Sequence, residues 1–178
     1  MLEVEAKFKS PGNDKVEKAL LRLGARSIGG GTMEDIYFSH ASKDFGKSDE
    51  ALRLRKTEMS SELTYKGPRM ALVGSKAREE ISVKIDDALA AQRLLERLGF
   101  SERIVIRKSR RSYILDALRV DLDDVEGLGE YVEVEILTES PEQSHRVMET
   151  AEKELGLDKL EQRTYLEMIL DKADAKNR

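Results

Sequence analysis

The chain has 178 residues, 37% of them charged and 39% apolar, with 31 Lys and Arg against 35 Asp and Glu for a net charge of −4. That length makes one domain the expectation, and the acidic balance argues against a duplex-binding domain with a basic footprint. Cys is absent, which excludes a disulfide scaffold, a thiolate zinc site and a cysteine nucleophile; with only His40 and His145, a multi-histidine metal site is nearly excluded.

Met1 leads straight into Leu2-Glu3-Val4 with no signal-peptide core, and no apolar run approaches the roughly 20 residues of a membrane span. A soluble cytoplasmic protein is expected, with neither a membrane nor a nucleic-acid partner. Leu2 to Lys9 alternates strictly, the mark of a half-buried strand: Leu2, Val4, Ala6 and Phe8 share one face, Glu3, Glu5, Lys7 and Lys9 the other. Asn13 reads as the cap of a helix in which Val16, Ala19, Leu20 and Leu23 recur at helical spacing, with Gly24 ending it. The run Gly29 to Gly31 lacks the Lys-Ser/Thr and helix of a phosphate loop, and a strand follows at Glu34 to Phe38.

After a polar loop, His40 to Asp49, the stretch Ala51 to Lys56 sets Leu52 and Leu54 on one face and Arg53 and Arg55 on the other. Glu62 to Lys66 is a further strand, stopped by Gly67-Pro68, and Met70 to Lys76 reads as a mobile loop. The second half repeats the plan. A strand from Glu79 to Ile85 alternates Glu80, Ser82 and Lys84 with Ile81, Val83 and Ile85; a helix then carries Ala91, Leu94, Leu95 and Leu98 on one stripe. Strands follow around Arg103–Lys108, Arg110–Leu115, Leu118–Leu122 and Tyr131–Leu137, and the similar helix ends Leu21–Ala25 and Leu95–Phe100 point to a weak internal duplication. Ser140-Pro141 starts a third helix, Arg163 to Lys172 is the last one, and residues 173–178 are expected to form a loose tail after a single domain over 1–172.

Several strands thus pair an apolar face with a charged one. Such a face is either the solvated outside of an antiparallel sheet or the lining of a concave or closed one. The second arrangement needs water, metal and a polyanion inside, because each unpaired buried ion is costly. Carboxylates paired at i, i+2 suit Mg²⁺ or Mn²⁺, and clustered Lys and Arg suit phosphate oxygens. Together they are the residue types of phosphoryl or nucleotidyl chemistry.

Glu3-Val4-Glu5-Ala6-Lys7 matches an ExExK motif. In order after it come Asp35-Ile36-Tyr37-Phe38, Asp49-Glu50-Ala51-Leu52-Arg53-Leu54-Arg55, Thr64-Tyr65-Lys66-Gly67-Pro68, Lys108-Ser109-Arg110 with Tyr113, the run Leu122 to Glu135, and Arg163-Thr164-Tyr165-Leu166-Glu167. In this combination the chain resembles the CYTH superfamily, the triphosphate tunnel metalloenzymes, and most resembles the branch named for class IV adenylyl cyclases. The resemblance implies an α+β fold, an antiparallel closed or nearly closed barrel of about eight strands with a charged interior and helices packed outside. It implies Mg²⁺ or Mn²⁺ on Glu3, Glu5, Asp123, Glu133 and Glu135, and phosphate on Lys7, Arg53, Arg55, Lys66, Lys108, Arg110 and Arg119. Lys7, Lys66 and Tyr37 would carry the chemistry, and Glu80, Lys84 and Asp121 would line the tunnel. A homodimer is expected from the branch.

The activity implied is conversion of a nucleoside triphosphate, ATP, to cyclic AMP and pyrophosphate, with proximity supplying much of the rate. The alternative on the same scaffold is a triphosphatase for inorganic, nucleoside or thiamine triphosphate. A non-catalytic polyphosphate or nucleotide binder is the third reading.

Overall fold

The computed structural model describes residues 2–72, 75–138, 149 and 152–176. The elements in chain order are β1 (Leu2–Lys9), α1 (Asn13–Arg22), β2 (Arg26–His40), β3 (Ala51–Thr57), β4 (Ser61–Lys66), β5 (Met70–Leu72), β6 (Ser75–Ala77), β7 (Glu80–Ile85), α2 (Ala88–Arg97), β8 (Phe100–Leu115), β9 (Leu118–Val125), β10 (Gly129–Thr138) and α3 (Tyr165–Lys176). Eight strands form one sheet in the order β1-β10-β9-β8-β2-β3-β4-β7, and β5 and β6 pair separately where a loop was expected. The fold is therefore α+β, but hydrogen bonds do not close the sheet, since β1 and β7 are its terminal strands. The outer edge of β1 is taken by another segment. Lys9 N–H donates to the Lys159 carbonyl at 2.8 Å, Glu161 N–H donates to the Lys7 carbonyl at 2.7 Å, and Phe8 bridges Leu160.

The chain divides into two compact units, one made of Met1–Gly31, Leu72–Ser75 and Lys108–Arg178, the other of Thr32–Ala71 and Lys76–Arg107. In the first, the alternation of β1 is carried across its neighbours by register: Phe8 stands opposite Val132, which stands opposite Leu122, while Ala6, Val134 and Val120 form the next row. These apolar side chains pack with Val16, Ala19 and Leu20 of α1 and with Leu155 and Leu157. Each large aliphatic buried there contributes about 1.5–3 kcal/mol of hydrophobic stabilisation. Asn13 is not the cap: Gly12 occupies that position, and the Asn13 amide reaches into the fold to donate to the Asp123 carbonyl at 2.9 Å. The Asn13 N–H, left over at the helix start, is met instead by the Glu130 carboxylate at 3.2 Å.

In the second unit, Ile36, Phe38 and Leu54 pack with Leu95 of α2, flanked by Leu52, Leu63 and Ile85. Asp87 caps α2 by accepting from Ala90 N–H at 2.9 Å. Only one residue of the expected stripe is fully used, for Leu94 is 62% and Leu98 61% exposed. Two sequence expectations merge into longer elements. The glycine run lies inside β2, and the two strands placed between Arg103 and Leu115 are the single strand β8. Gly30 is required by proximity: a Cβ there would lie 2.1 Å from the Arg110 carbonyl oxygen. The last helix continues to Lys176, past the expected Lys172. The start of the third helix at Ser140, and His145 on it, lie outside the described residues. Among the described residues no helix is long and apolar enough to cross a membrane.

Candidate functional site

In the first unit the charged face of β1, β10, β9 and β8 is read off the register. Glu5 stands opposite Glu135 and Lys7 opposite Glu133. Glu133 is in turn opposite Asp121, and Asp123 opposite Arg110. Residues directly across an antiparallel pair share a face, so the register brings charges from four strands together.

The centre of the row is Asp123, which is fully buried. It accepts from Lys108 Nζ at 2.8 Å, from Arg110 Nε and Nη2 at 2.6 Å each, and from the Tyr165 hydroxyl at 2.9 Å. Arg110 also ion-pairs with Asp121 at 2.5 Å and with Glu133. Burial alone would raise the Asp123 carboxyl, but Arg110 and Lys108 outweigh it and hold the group at about 2. The same balance, burial opposed by Lys108 and Arg110, leaves Glu133 below the ordinary carboxylate range. Desolvation works against the Arg110 guanidinium, and the carboxylates overcome it. Arg119, at the rim, reaches Asp121 at 3.2 Å. Lys7 differs from these cations: burial lowers its pKa, and among the described residues no carboxylate pairs with its ammonium.

The second unit holds Arg53, Arg55, Lys66, Tyr37, Glu80 and Lys84. Arg55 grips buried Asp35 in a two-pronged ion pair of 2.6 and 2.7 Å, its partner across the β2/β3 register. Lys66 Nζ ion-pairs with Glu80 at 2.6 Å, and Lys84 stands opposite Glu62. Arg53 is 8% exposed yet has only hydroxyl company: it donates to Thr64 at 3.4 Å and hydrogen-bonds Tyr37, while its Nε is buried with no acceptor among the described residues. Tyr37 stands directly across the β2/β3 register from Arg53. Burial pushes its hydroxyl pKa up, with Asp35 adding to the effect.

Of the expected residues, Lys108, Arg110, Arg119, Asp121, Asp123 and Glu133 form one ion-paired cluster in the first unit, and Arg55, Lys66 and Glu80 are ion-paired in the second. Glu3 keeps its place on β1, but its side chain lies outside the described residues. Two participants escaped the sequence reading. Tyr165 and Asp35 both stand within the motifs quoted above but were not among the expected site residues. Thr164-x-x-Glu167, a capping-box pattern, was the available signal for the first. Oxygen donors alone line the carboxylate row, which suits a hard divalent cation. Among the described residues no three acidic or histidine side chains converge as a metal site. Glu5 and Glu135, opposed across β1 and β10, offer a pair of carboxylates of the hard-oxygen type that a divalent cation takes.

The chain is 37% identical over 173 residues to the Methanocaldococcus jannaschii protein named "Putative adenylate cyclase MJ0240", covering 94% of this chain and 98% of that one. It is 28% identical over 171 residues to adenylate cyclase CyaB of Aeromonas hydrophila, covering 92% and 86%. Among solved structures, the PH1819 protein of Pyrococcus horikoshii OT3 superposes with a TM-score of 0.83 at 37% identity, over 96% of this chain and 99% of that one. HpAC1 of Hippeastrum, described as a "putative adenylyl cyclase" that reveals a dominant triphosphatase activity, shares the fold at a TM-score of 0.75 and 21% identity, over 96% of each chain. Residues 1–165 match the CYTH domain, and the chain belongs to that family.

Proposed function

We propose that this protein is a metal-dependent enzyme acting on a triphosphate, most closely of the class IV adenylyl cyclase kind, converting ATP to cyclic AMP and pyrophosphate. The observation that carries the anion is Arg53. A guanidinium 8% exposed, without a carboxylate partner among the described residues and with its Nε lacking an acceptor, is a costly arrangement in the absence of a ligand. Phosphate oxygens would relieve it through charge-assisted hydrogen bonds. The names of the archaeal and Aeromonas relatives support the nucleotide and the cyclase reaction.

In that reaction the ribose 3′ hydroxyl gives up its proton to the departing pyrophosphate or to solvent, its oxygen bonds to the α-phosphorus, the bond from that phosphorus to the bridging oxygen breaks, and pyrophosphate leaves. Lys7, Arg53, Arg55 and Lys66 would hold the departing phosphates, and the protonated Tyr37 hydroxyl would orient Arg53. Lys108 and Arg110 are committed to Asp123 and would brace the row, with Arg119 at its rim. Glu5 and Glu135, with Glu3 and Glu133 beside them on the same strands, would hold a divalent cation. When bound, that ion would offset the charge of the triphosphate.

Hydrolysis of the terminal phosphoryl group is the second reading, favoured by the activity described for HpAC1 on the same fold. The test is product analysis: purified protein with ATP, and separately with inorganic triphosphate, plus Mg²⁺ or Mn²⁺ and then with EDTA. Cyclic AMP with pyrophosphate, lost in EDTA, is the expected result. Orthophosphate without cyclic AMP would transfer the proposal to a triphosphatase, and no turnover of any triphosphate would overturn both readings.

A further inference from the structure

The segment after residue 158 does more than occupy the edge of β1. Thr164 N–H donates to the Glu167 carboxylate at 2.6 Å, and Glu167 N–H donates back to the Thr164 hydroxyl at 3.2 Å. This reciprocal capping fixes the first turn of α3 and with it the entry angle of Tyr165, its first residue. Upstream, the bonds of residues 159 and 161 to Lys9 and Lys7 anchor the same segment two strides earlier. Tyr165 is held from both sides of the sequence and is 8% exposed.

The ring goes to a specific place. Its centroid lies 4.4 Å from Lys7 Nζ and 4.9 Å from Lys108 Nζ, and the Tyr131 ring meets it edge-on at 5.5 Å. The hydroxyl is engaged elsewhere, donating to Asp123. Lys7 stands directly across the β1/β10 register from Glu133, the obvious partner for a lysine, yet among the described residues no carboxylate pairs with its ammonium. Lys108 has Asp123. For Lys7 the aromatic face is the defined contact.

We propose that Tyr165 is a positioning residue: its ring seats the Lys7 ammonium away from Glu133 and keeps that cation available to an anionic, phosphate-bearing ligand. The inference rests on the triphosphate reading for the identity of the ligand, but not for the seat itself. Without the ring, Lys7 would fold onto Glu133, neutralising a cation that phosphate needs and a carboxylate beside the Glu5–Glu135 pair. The ring supplies this through its quadrupole, so a phenylalanine should serve and an aliphatic side chain should not.

The experiment uses the full chain with lysine labelled at Cε and Nζ, the Lys7 signal being identified by its loss in Lys7→Gln. Inorganic triphosphate binding is measured by calorimetry at neutral pH for wild type, Tyr165→Phe and Tyr165→Leu. Tyr165→Phe should keep the affinity within about twofold and leave the Lys7 resonance in place, whereas Tyr165→Leu should weaken binding about fivefold and shift that resonance. A Leu variant that binds as wild type does, with Lys7 unmoved, overturns the proposal. So does a Phe variant as weak as the Leu one, since the Asp123 hydrogen bond would then be the cause. If the Leu variant does not fold, phenylalanine fluorinated at positions 3, 4 and 5 decides: it keeps the shape and weakens the quadrupole, and an affinity equal to that of Tyr165→Phe is the overturning result. A wild type that binds no triphosphate defeats the functional reading alone, because the Lys7 resonance still reports whether the ring seats it.

Discussion

Asp123→Asn isolates what the buried charge row contributes to stability. The native carboxylate is fully buried and accepts four hydrogen bonds, from Lys108, twice from Arg110, and from Tyr165. Asn keeps the volume but removes the charge and turns an NH₂ toward groups that are themselves donors. A carboxyl brought from 3.8 to about 2 by its neighbours stabilises the folded state by on the order of 2–3 kcal/mol at neutral pH. Deleting one partner from a buried ion pair independently costs about 3–5 kcal/mol. We expect a loss of about 3 kcal/mol, seen in urea denaturation as a midpoint lower by about 1.5 M if the denaturant slope is about 2 kcal/mol/M. The pH dependence supplies the sharper test. The folded pKa is depressed, so the stabilisation is complete above the unfolded value and disappears as pH falls through the folded one. The gap between wild type and variant should hold at neutral pH and narrow between about pH 4 and pH 2. A midpoint change below about 0.3 M, or a gap of undiminished size on acidification, would refute the reasoning.

Gly30→Ala should disturb Arg110 from a distance in sequence, because the new Cβ would overlap the Arg110 carbonyl oxygen, part of the backbone and unable to swing aside. A loss of about 2 kcal/mol or more in thermal unfolding is expected, and a neutral variant would show that β2 shifts freely. Arg53→Leu should trade in the opposite sense: removing an uncompensated buried cation leaves stability unchanged or raises it, while triphosphate affinity by calorimetry falls at least about tenfold. A destabilised variant with unchanged affinity would give Arg53 a purely structural role. Burial lowers the Lys7 pKa against the opposing pull of Glu133, Glu5, Glu161 and Glu167. Triphosphate binding should therefore weaken on the alkaline side below the ordinary lysine value of 10.5, and Lys7→Arg should move that decline to higher pH.

The strands of the first unit were legible because period-2 alternation survives in sequence: Leu2 to Lys9 and Leu118 to Asp123 each announce which residues face the core. Pairing between strands is a different kind of information. Nothing local places Asp123 opposite Arg110 or Lys7 opposite Glu133, since register follows from strand order and turn length. Glycine misled for a physical reason as well: in the strand interior Gly29 to Gly31 look like a break, but at Gly30 the missing side chain is what lets two backbones approach. Asn13 has the composition of a cap, and tertiary demand redirected it to the Asp123 carbonyl. On α2 the apolar stripe is correct as a pattern, yet it is wider than the surface available, and Leu94 and Leu98 remain exposed. A closed or nearly closed barrel was implied by the family resemblance, since alternation along eight strands is indifferent to closure; hydrogen bonds leave β1 and β7 as terminal strands.

The pairing also divides residues that sequence had grouped as one phosphate-binding set. Arg110 spends its Nε–H on Asp123, one Nη1–H on Asp121, and both Nη2 hydrogens on Asp123 and Glu133. Of the five donors of a guanidinium that leaves a single N–H. Drawing Arg110 toward a ligand would strand two buried aspartates, so its contribution to an anion is field and framework more than contact. Arg55, bound through two prongs to Asp35, is under a similar restraint. Lys7 and Arg53 are placed differently: the one rests on an aromatic ring and the other among hydroxyls, partners that orient a cation without neutralising it. A cation poised in that way gains most when a phosphate arrives, because no ion pair has to break first. On the proposed triphosphate reading, Lys7 in the first unit and Arg53 in the second are each the cation of their own unit with most to gain from a phosphate, while the carboxylate-bound cations serve as framework within their unit.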